Sequence, residues 1–365
     1  MTELYLVDDL LHGVIPPQIS LLPELTSFYA GENNLLKGTN LSFFCELSQL
    51  ERLEIEISQL TGTIPSCIGS LSNLDIISLP YNRITGTLPE TICELTSLQI
   101  IDVYENRLSG TIPSCIGLLS NLVELRVGIN KWKGTNLSFV CELSQLEQLE
   151  IPSSQLTGTI PSCIGSLMFL TQFEASDNRL YGLVPSTLGQ LSVLQILNLY
   201  NNSLSGPLFA LGVLSELHQC DVSHNMFTGS LPSGLGGCEG CNYLNFGYNK
   251  LTGTVPTSFH SMSALSFLYI YSNEMTGVDL LNSIPGDLGN IDASFNYFSG
   301  TLPFSAAIYS FKNLYVRGNF FDGSLPLNVP LLADVRILDL SENQFSGTLG
   351  TQFQSVSFYF CIFSS

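Results

Sequence analysis

Positive charge is scarce in this sequence: its 365 residues hold 12 Lys and Arg against 31 Asp and Glu, a formal net charge of −19. Such a chain has no broad basic face to lay along a phosphate backbone, which excludes nucleic acid as the partner. Charged residues of either sign make up only 12%, while 45% are hydrophobic, a balance too apolar for a disordered chain. Long hydrophobic runs are also missing. No stretch reaches the ~18 uninterrupted apolar residues of a spanning helix, so no membrane span is read within the chain. Met1-Thr2-Glu3-Leu4 has neither the basic nor the apolar region of a secretory leader. Catalytic signatures are absent as well: there is no G-x-S-x-G, H-E-x-x-H or P-loop. Gly234-Leu-Gly-Gly-Cys-Glu-Gly240 does not match the dinucleotide fingerprint. The chain therefore reads as no enzyme, with no catalytic residue, metal or cofactor to assign.

What is present is a repeat. Gly recurs at 13, 38, 62, 86, 110, 134, 158, 182, 206, 229, 253, 277, 300, 323 and 347. Around each lies one frame, as in Leu74-x-x-Ile77-x-Leu79-x-x-Asn82-x-Ile84-x-Gly86-x-Leu88-Pro89. The alternating L-x-L core predicts a short strand with one buried face. One such strand cannot bury its apolar side alone, so neighbouring repeats must stack and share a core. The Asn at 33, 82, 106, 130, 178, 202, 225, 249, 273, 296, 319 and 343 carries an amide able both to donate to and accept from backbone. Stacked once per coil, these side chains predict an internal ladder. Ser58, Ser154 and Asp9 replace it and predict weaker rungs. The Gly allows a φ that other residues resist, and the Pro that follows stiffens the return arm.

The frame L-x-x-L-x-L-x-x-N-x-L-x-G-x-I-P resembles the leucine-rich repeat, in its 24-residue plant-type form. Leu60-Thr-Gly-Thr-Ile-Pro65 and Leu108-Ser-Gly-Thr-Ile-Pro113 carry that signature. The resemblance implies an α/β-type repeat solenoid: a horseshoe or superhelix with a parallel concave sheet, a short second strand and irregular or 3₁₀ turns on the convex side. About 15 repeats are expected over 1–349 as one solenoid, followed by an apolar tail, 350–365, with no recognisable cap. Met1 falls in mid-pattern, so the chain reads as a fragment of a longer protein.

A longer period underlies the first. Segments 38–71 and 134–167 differ only at Phe44/Val140, Arg52/Gln148, Glu56/Pro152 and Ile57/Ser153. The N-terminal half thus reads as copied pairs of repeats. That copying by itself accounts for the regular spacing of Cys45, Cys93 and Cys141, and of Cys67, Cys115 and Cys163. These cysteines lie near the convex turns of adjacent coils, where pairing across coils is geometrically open. Cys220, Cys238 and Cys241 occupy positions of buried Leu or Ile and read as core, since a free Cys packs as a small hydrophobe. His218-x-Cys220-Asp221-x-x-His224 does not converge, because Cys220 points inward in the frame. Asn40-Leu-Ser42, Asn136-Leu-Ser138 and Asn201-Asn-Ser203 are glycosylation sequons, compatible with secretion.

Exposed positions are the seventh, sixth, fourth, second and first before the ladder residue. Glu54, Asp102, Glu150, Glu174 and Asp221 fall there and predict an acidic concave stripe, which would steer a basic partner. From about residue 195 the same positions turn aromatic: Tyr200, His224, Tyr243, Tyr248, Phe267, Tyr269, Tyr271, Phe295 and Tyr315. Exposed aromatics are enriched in binding hot spots. Tyr200, His224, Tyr248, Tyr269, Tyr271, Phe295 and Tyr315 are therefore the expected ligand-binding patch.

The expected function is non-catalytic recognition of a protein or peptide. The resemblance implies the ligand-binding ectodomain of a receptor-like protein or receptor-like kinase, at the cell surface or outside the cell. Two alternatives stand beside it. One is a secreted inhibitor resembling the plant inhibitors of polygalacturonases; the other is a cytoplasmic interaction scaffold.

Overall fold

Among the described residues, most repeats fold into a three-residue strand, a short second strand after the ladder residue and a 3₁₀ turn. The computed structural model describes residues 1–6, 11–32, 35–134, 136–302, 311–324, 335–347 and 360–362. Asp9, Asn33 and most of the tail 350–365 lie outside these. The chain divides into two compact units, Met1–Tyr181 and Gly182–Ser365.

In the first unit the strands Glu3–Tyr5, Ser27–Tyr29, Arg52–Glu54, Ile76–Ser78, Ile100–Asp102, Glu124–Arg126, Gln148–Glu150 and Gln172–Glu174 pair in parallel, each with the next coil. In the second, Ile196–Asn198, Gln219–Asp221, Tyr243–Asn245, Phe267–Tyr269, Asn290–Asp292, Asn313–Tyr315, Ile337–Asp339 and Phe360–Ile362 do the same. From Ser27–Tyr29 to Ile337–Asp339 the middle residue of each strand faces the core. Leu53, Ile77, Ile101, Leu125, Leu149 and Phe173 are buried in one unit, and Leu197, Cys220, Leu244, Leu268, Ile291, Leu314 and Leu338 in the other. Burying each such side chain contributes roughly 1.5–3 kcal/mol. Both units are thus repeat solenoids with a parallel sheet and 3₁₀ turns, and no α-helix occurs among the described residues.

The punctuation follows the backbone chemistry. Gly62, Gly86, Gly110 and their counterparts have φ between about 56° and 134°; Gly38 alone lacks a positive φ and sits at a register shift. The Pro ahead of the 3₁₀ turn is extended, as at Pro65, Pro89 and Pro161.

Asn82 shows how the coil closes. Its Oδ1 accepts from Leu60 N–H of the preceding coil (3.0 Å), while its Nδ2 donates to Ile55 O of that coil (2.7 Å) and to Leu79 O and Pro80 O of its own. Asn106, Asn130, Asn178, Asn225, Asn249, Asn273, Asn296, Asn319 and Asn343 repeat the set, each reaching a carbonyl of the coil before. Asn202 donates to Leu199 O and Tyr200 O. Serine is a poorer rung. Ser58 and Ser154 donate only to carbonyls of their own coil, Glu56 O and Pro152 O.

The carbonyl that an Asn at 154 would reach is Val127 O, and the single Trp takes it over. Buried Trp132 donates its Nε1–H to Val127 O at 2.8 Å.

The cysteine pattern has a structural content that the duplication hid. Cys45–Cys67, Cys93–Cys115 and Cys141–Cys163 are disulfides between the 3₁₀ turns of neighbouring coils, with Cα separations of 5.8, 5.8 and 5.3 Å. Cys238 and Cys241 are buried, as the frame requires, but are also bonded to one another. Cys220 is a free, buried thiol, its pKa pushed far up by burial.

Candidate functional site

Strand residues that alternate with the buried one project from the open sheet face. One column of them, four before the ladder residue, runs Tyr29, Glu54, Ser78, Asp102, Arg126, Glu150, Glu174 in the first unit. In the second it runs Asn198, Asp221, Asn245, Tyr269, Asp292, Tyr315, Asp339. Neighbours in such a column stand ~4.8 Å apart.

The first column is not an unbroken acidic stripe. Stacked carboxylates repel, and Arg126 relieves this by sitting between Asp102 Oδ2 (3.1 Å) and Glu150 Oε1 (3.0 Å). The guanidinium also lies 6.0 Å from the Tyr104 ring centroid. Gln172 Nε2 links Glu150 Oε1 to Glu174 Oε1. Burial pushes Asp102 up to about 6 and raises Glu150, with Arg126 opposing the shift in both. Glu54 is likewise raised, by burial and then by Glu56. Four other cations, Arg83, Arg107, Lys131 and Arg179, follow a ladder position in their coils. All four are exposed, and no ion pair joins them among the described residues.

In the second unit the rings form a connected ribbon. Successive centroid distances are 5.1 Å for Tyr200–His224, 4.3 Å for His224–Tyr248, 5.3 Å for Tyr248–Tyr271 and 6.4 Å for Tyr271–Tyr269. The ribbon goes on through Tyr269–Tyr243 at 5.8 Å and Tyr243–Phe267 at 6.1 Å. No ring contact among the described residues joins Phe295 or Tyr315 to it; Phe295 instead lies under the Arg317 guanidinium at 5.5 Å. Gly247 makes the ribbon possible, because a Cβ there would come within 2.5 Å of the Tyr271 ring.

A backbone feature, invisible in the composition, positions these rings. The residue just before each described ladder position has a positive φ: 55° at Tyr81, 49° at Glu105, 54° at His224, 49° at Tyr248 and 56° at Phe295. Bulky residues are uncommon in this region, and each costs on the order of 1 kcal/mol or more. Gly318 shows the cheaper choice at the same position. His224, Tyr248 and Phe295 are held there at a conformational cost, with Tyr248 52% and Phe295 48% exposed.

Among the described residues no ion pair joins Asp221, Asp292 or Asp339 of the second unit's column. Asp221 accepts from Ser223, Tyr243 OH and Asn245 Nδ2, and Asp292 Oδ1 from Ser294 N–H. Burial raises Asp292, and Asp339 raises it further. Tyr243 is pushed up to about 12 by burial and by Asp221, and Tyr269 and Tyr315 are raised by burial and by Asp292. These phenols are therefore hydrogen-bond donors at neutral pH. No cluster of metal-ligating side chains occurs among the described residues, and no described helix is long and apolar enough to cross a membrane.

Comparison with known proteins points the same way throughout. A family model described as "leucine-rich repeat region" matches residues 13–151, and one described as "leucine rich repeat" matches 216–238. Receptor-like protein 39 of Arabidopsis thaliana is 34% identical over 151 residues, which cover 39% of this chain and 17% of that relative. The chain thus matches less than a fifth of that relative's length. Among solved structures, a TDR receptor superposes with a TM-score of 0.87 at 26% identity, covering 98% of this chain and 67% of that one. The Arabidopsis receptor kinase HAESA, solved with the peptide hormone IDA and the co-receptor SERK1, gives 0.84 at 27% identity, covering 96% and 60%.

Proposed function

From the premise that this chain is a leucine-rich repeat protein of the plant type, we propose that it is the non-catalytic, ligand-recognising part of a receptor-like protein at the cell surface. Its ligand is a secreted peptide or protein held on the open sheet face of the second unit. The observation that carries this reading is the ribbon from Tyr200 to Phe267, a connected, half-buried to exposed aromatic surface in which His224 and Tyr248 are held at a backbone cost. Rigid aromatic side chains of this kind supply most of the affinity in many interfaces. A relative named as a receptor-like protein and a peptide-bound receptor of the same fold support it. Three disulfides between coils suit the oxidising space outside the cell better than the cytosol.

The test is direct. Peptides from extracellular fluid captured on the purified protein are identified by mass spectrometry and their affinities measured. Replacing Tyr248 and Tyr271 together by Ala should weaken binding by more than ~2 kcal/mol, as hot-spot truncation does, with an unchanged melting curve. Unaltered affinity in that variant would remove the ribbon from the binding site.

A further inference from the structure

The open face of the first unit already contains a small recognition event. A guanidinium, Arg126, lies between two carboxylates and against a tyrosine ring. The second unit carries a related set without the arginine. Along its column Tyr269, Asp292, Tyr315 and Asp339 alternate in register. Tyr269 and Tyr315 flank Asp292 at one strand spacing on either side, so their strands stand roughly 10 Å apart. A cation centred over Asp292 would lie within the ~6 Å at which a ring face attracts it, on both sides at once.

No ion pair joins Asp292 or Asp339 among the described residues. Arg317 feels the charge of Asp339, but its guanidinium is committed to Glu342 Oε1 at 2.6 Å and to the Phe295 ring. Asp339 Oδ1 accepts from Ser341 N–H and Oγ–H, and Asp292 Oδ1 from Ser294 N–H, which leaves an acceptor oxygen on each carboxylate. Burial and the mutual repulsion of the two carboxylates raise Asp292, a strain that an arriving positive charge would relieve.

We infer that the peptide held by this face presents a Lys or Arg side chain, which seats over Asp292 between the Tyr269 and Tyr315 rings and supplies the positive charge the frame lacks. The inference rests on the proposed peptide recognition and adds the chemistry of one side chain. It also gives Tyr315, which stands outside the aromatic ribbon, a place in the site. An acidic or neutral side chain there would leave half-buried Asp292 and buried Asp339 without an ion pair and is selected against.

A displayed library of random decapeptides panned against the purified chain tests this. The expected result is enrichment of Lys or Arg at one position. A selected peptide resynthesised with citrulline or norleucine there should bind at least tenfold more weakly. Asp292→Asn with Asp339→Asn should abolish that discrimination while leaving the melting curve in place. Tyr269→Phe with Tyr315→Phe, which keeps both rings, should retain the discrimination. Selected peptides without a basic residue that still lose binding to the Tyr248→Ala, Tyr271→Ala variant would overturn the cation inference and leave peptide recognition standing. Peptides indifferent to all these substitutions, or a library that yields no binder, would count against both.

Discussion

The two units share one backbone plan and differ in where their interactions are completed. In the first, the open face is closed on itself: Asp102, Arg126, Glu150, Gln172 and Glu174 satisfy one another across neighbouring strands. Its ladder is interrupted at Ser58 and Ser154, three disulfides tie its coils together, and Trp132 satisfies Val127 O within its own coil. In the second, Asn occupies the ladder position from Asn202 to Asn343 in every described coil. No disulfide joins its coils among the described residues, and its open face carries rings together with half-buried Asp221 and Asp292, which no ion pair joins. A repeat protein can thus keep one stretch for stability and leave another to be completed by a partner, because each coil depends mainly on its immediate neighbours.

Reduction should break the comparison most sharply. Each cross-coil bridge closes a separation of 22 residues, and its loss should cost the first unit about 3 kcal/mol. Thermal melting with and without reductant, with proteolytic fragments mapped at each stage, should show the first unit failing early. The second unit, whose bridge spans a separation of only 3, should hold its transition. An equal shift of both would show that the bridges do not carry the difference.

A smaller effect is expected at the substituted rung. Trp132→Leu removes a large buried ring and one donor to Val127 O, and should destabilise the first unit by about 3 kcal/mol. Adding Ser154→Asn should return about 1 kcal/mol by restoring the amide at the ladder position. If urea titration finds no recovery, the exchange of roles between Trp132 and residue 154 is wrong.

The third prediction concerns pH. Asp102 is raised to about 6 in the folded chain, above the ~3.9 of an unfolded carboxyl. Its contribution to stability is therefore fully present below about pH 4 and lost as pH rises through about 6, a change on the order of 2–3 kcal/mol. Melting of the first unit should move to lower temperature between pH 4 and pH 6.5, and Asp102→Asn should flatten that slope. A slope of the opposite sign would mean that Arg126 outweighs burial.

Much of the fold was legible because its tertiary neighbours are also periodic in sequence. A residue one repeat away is one strand away, so the frame around Asn82 specified which residues are buried, which face outward and where the chain turns. The same arithmetic placed Tyr200, His224, Tyr248 and Tyr271 side by side. It did not separate Phe295 and Tyr315 from their ribbon: Tyr271 and Phe295 hold the same two repeat positions as Tyr200 and His224, and side-chain orientation, with Phe295 turned under Arg317, decides which rings touch. It also read the acids Glu54, Asp102, Glu150, Glu174 and Asp221 as one stripe. Arg126 was visible at the same position, but its hold on two carboxylates at once is a matter of side-chain geometry.

By itself, then, the sequence determined the coil, the strand, the buried columns and the excess of acid, all of which follow from short-range pattern repeated at a fixed interval. Only the tertiary structure decided how the cysteines pair, since spacing alone leaves connectivity open. It alone showed that Trp132 serves the carbonyl that Ser154 cannot reach, and that His224, Tyr248 and Phe295 stand in a left-handed turn. Each of these depends on distances and directions between particular atoms, across coils for the disulfides and within one coil for the Trp132 bond and the turn, and a repeat period carries no such information.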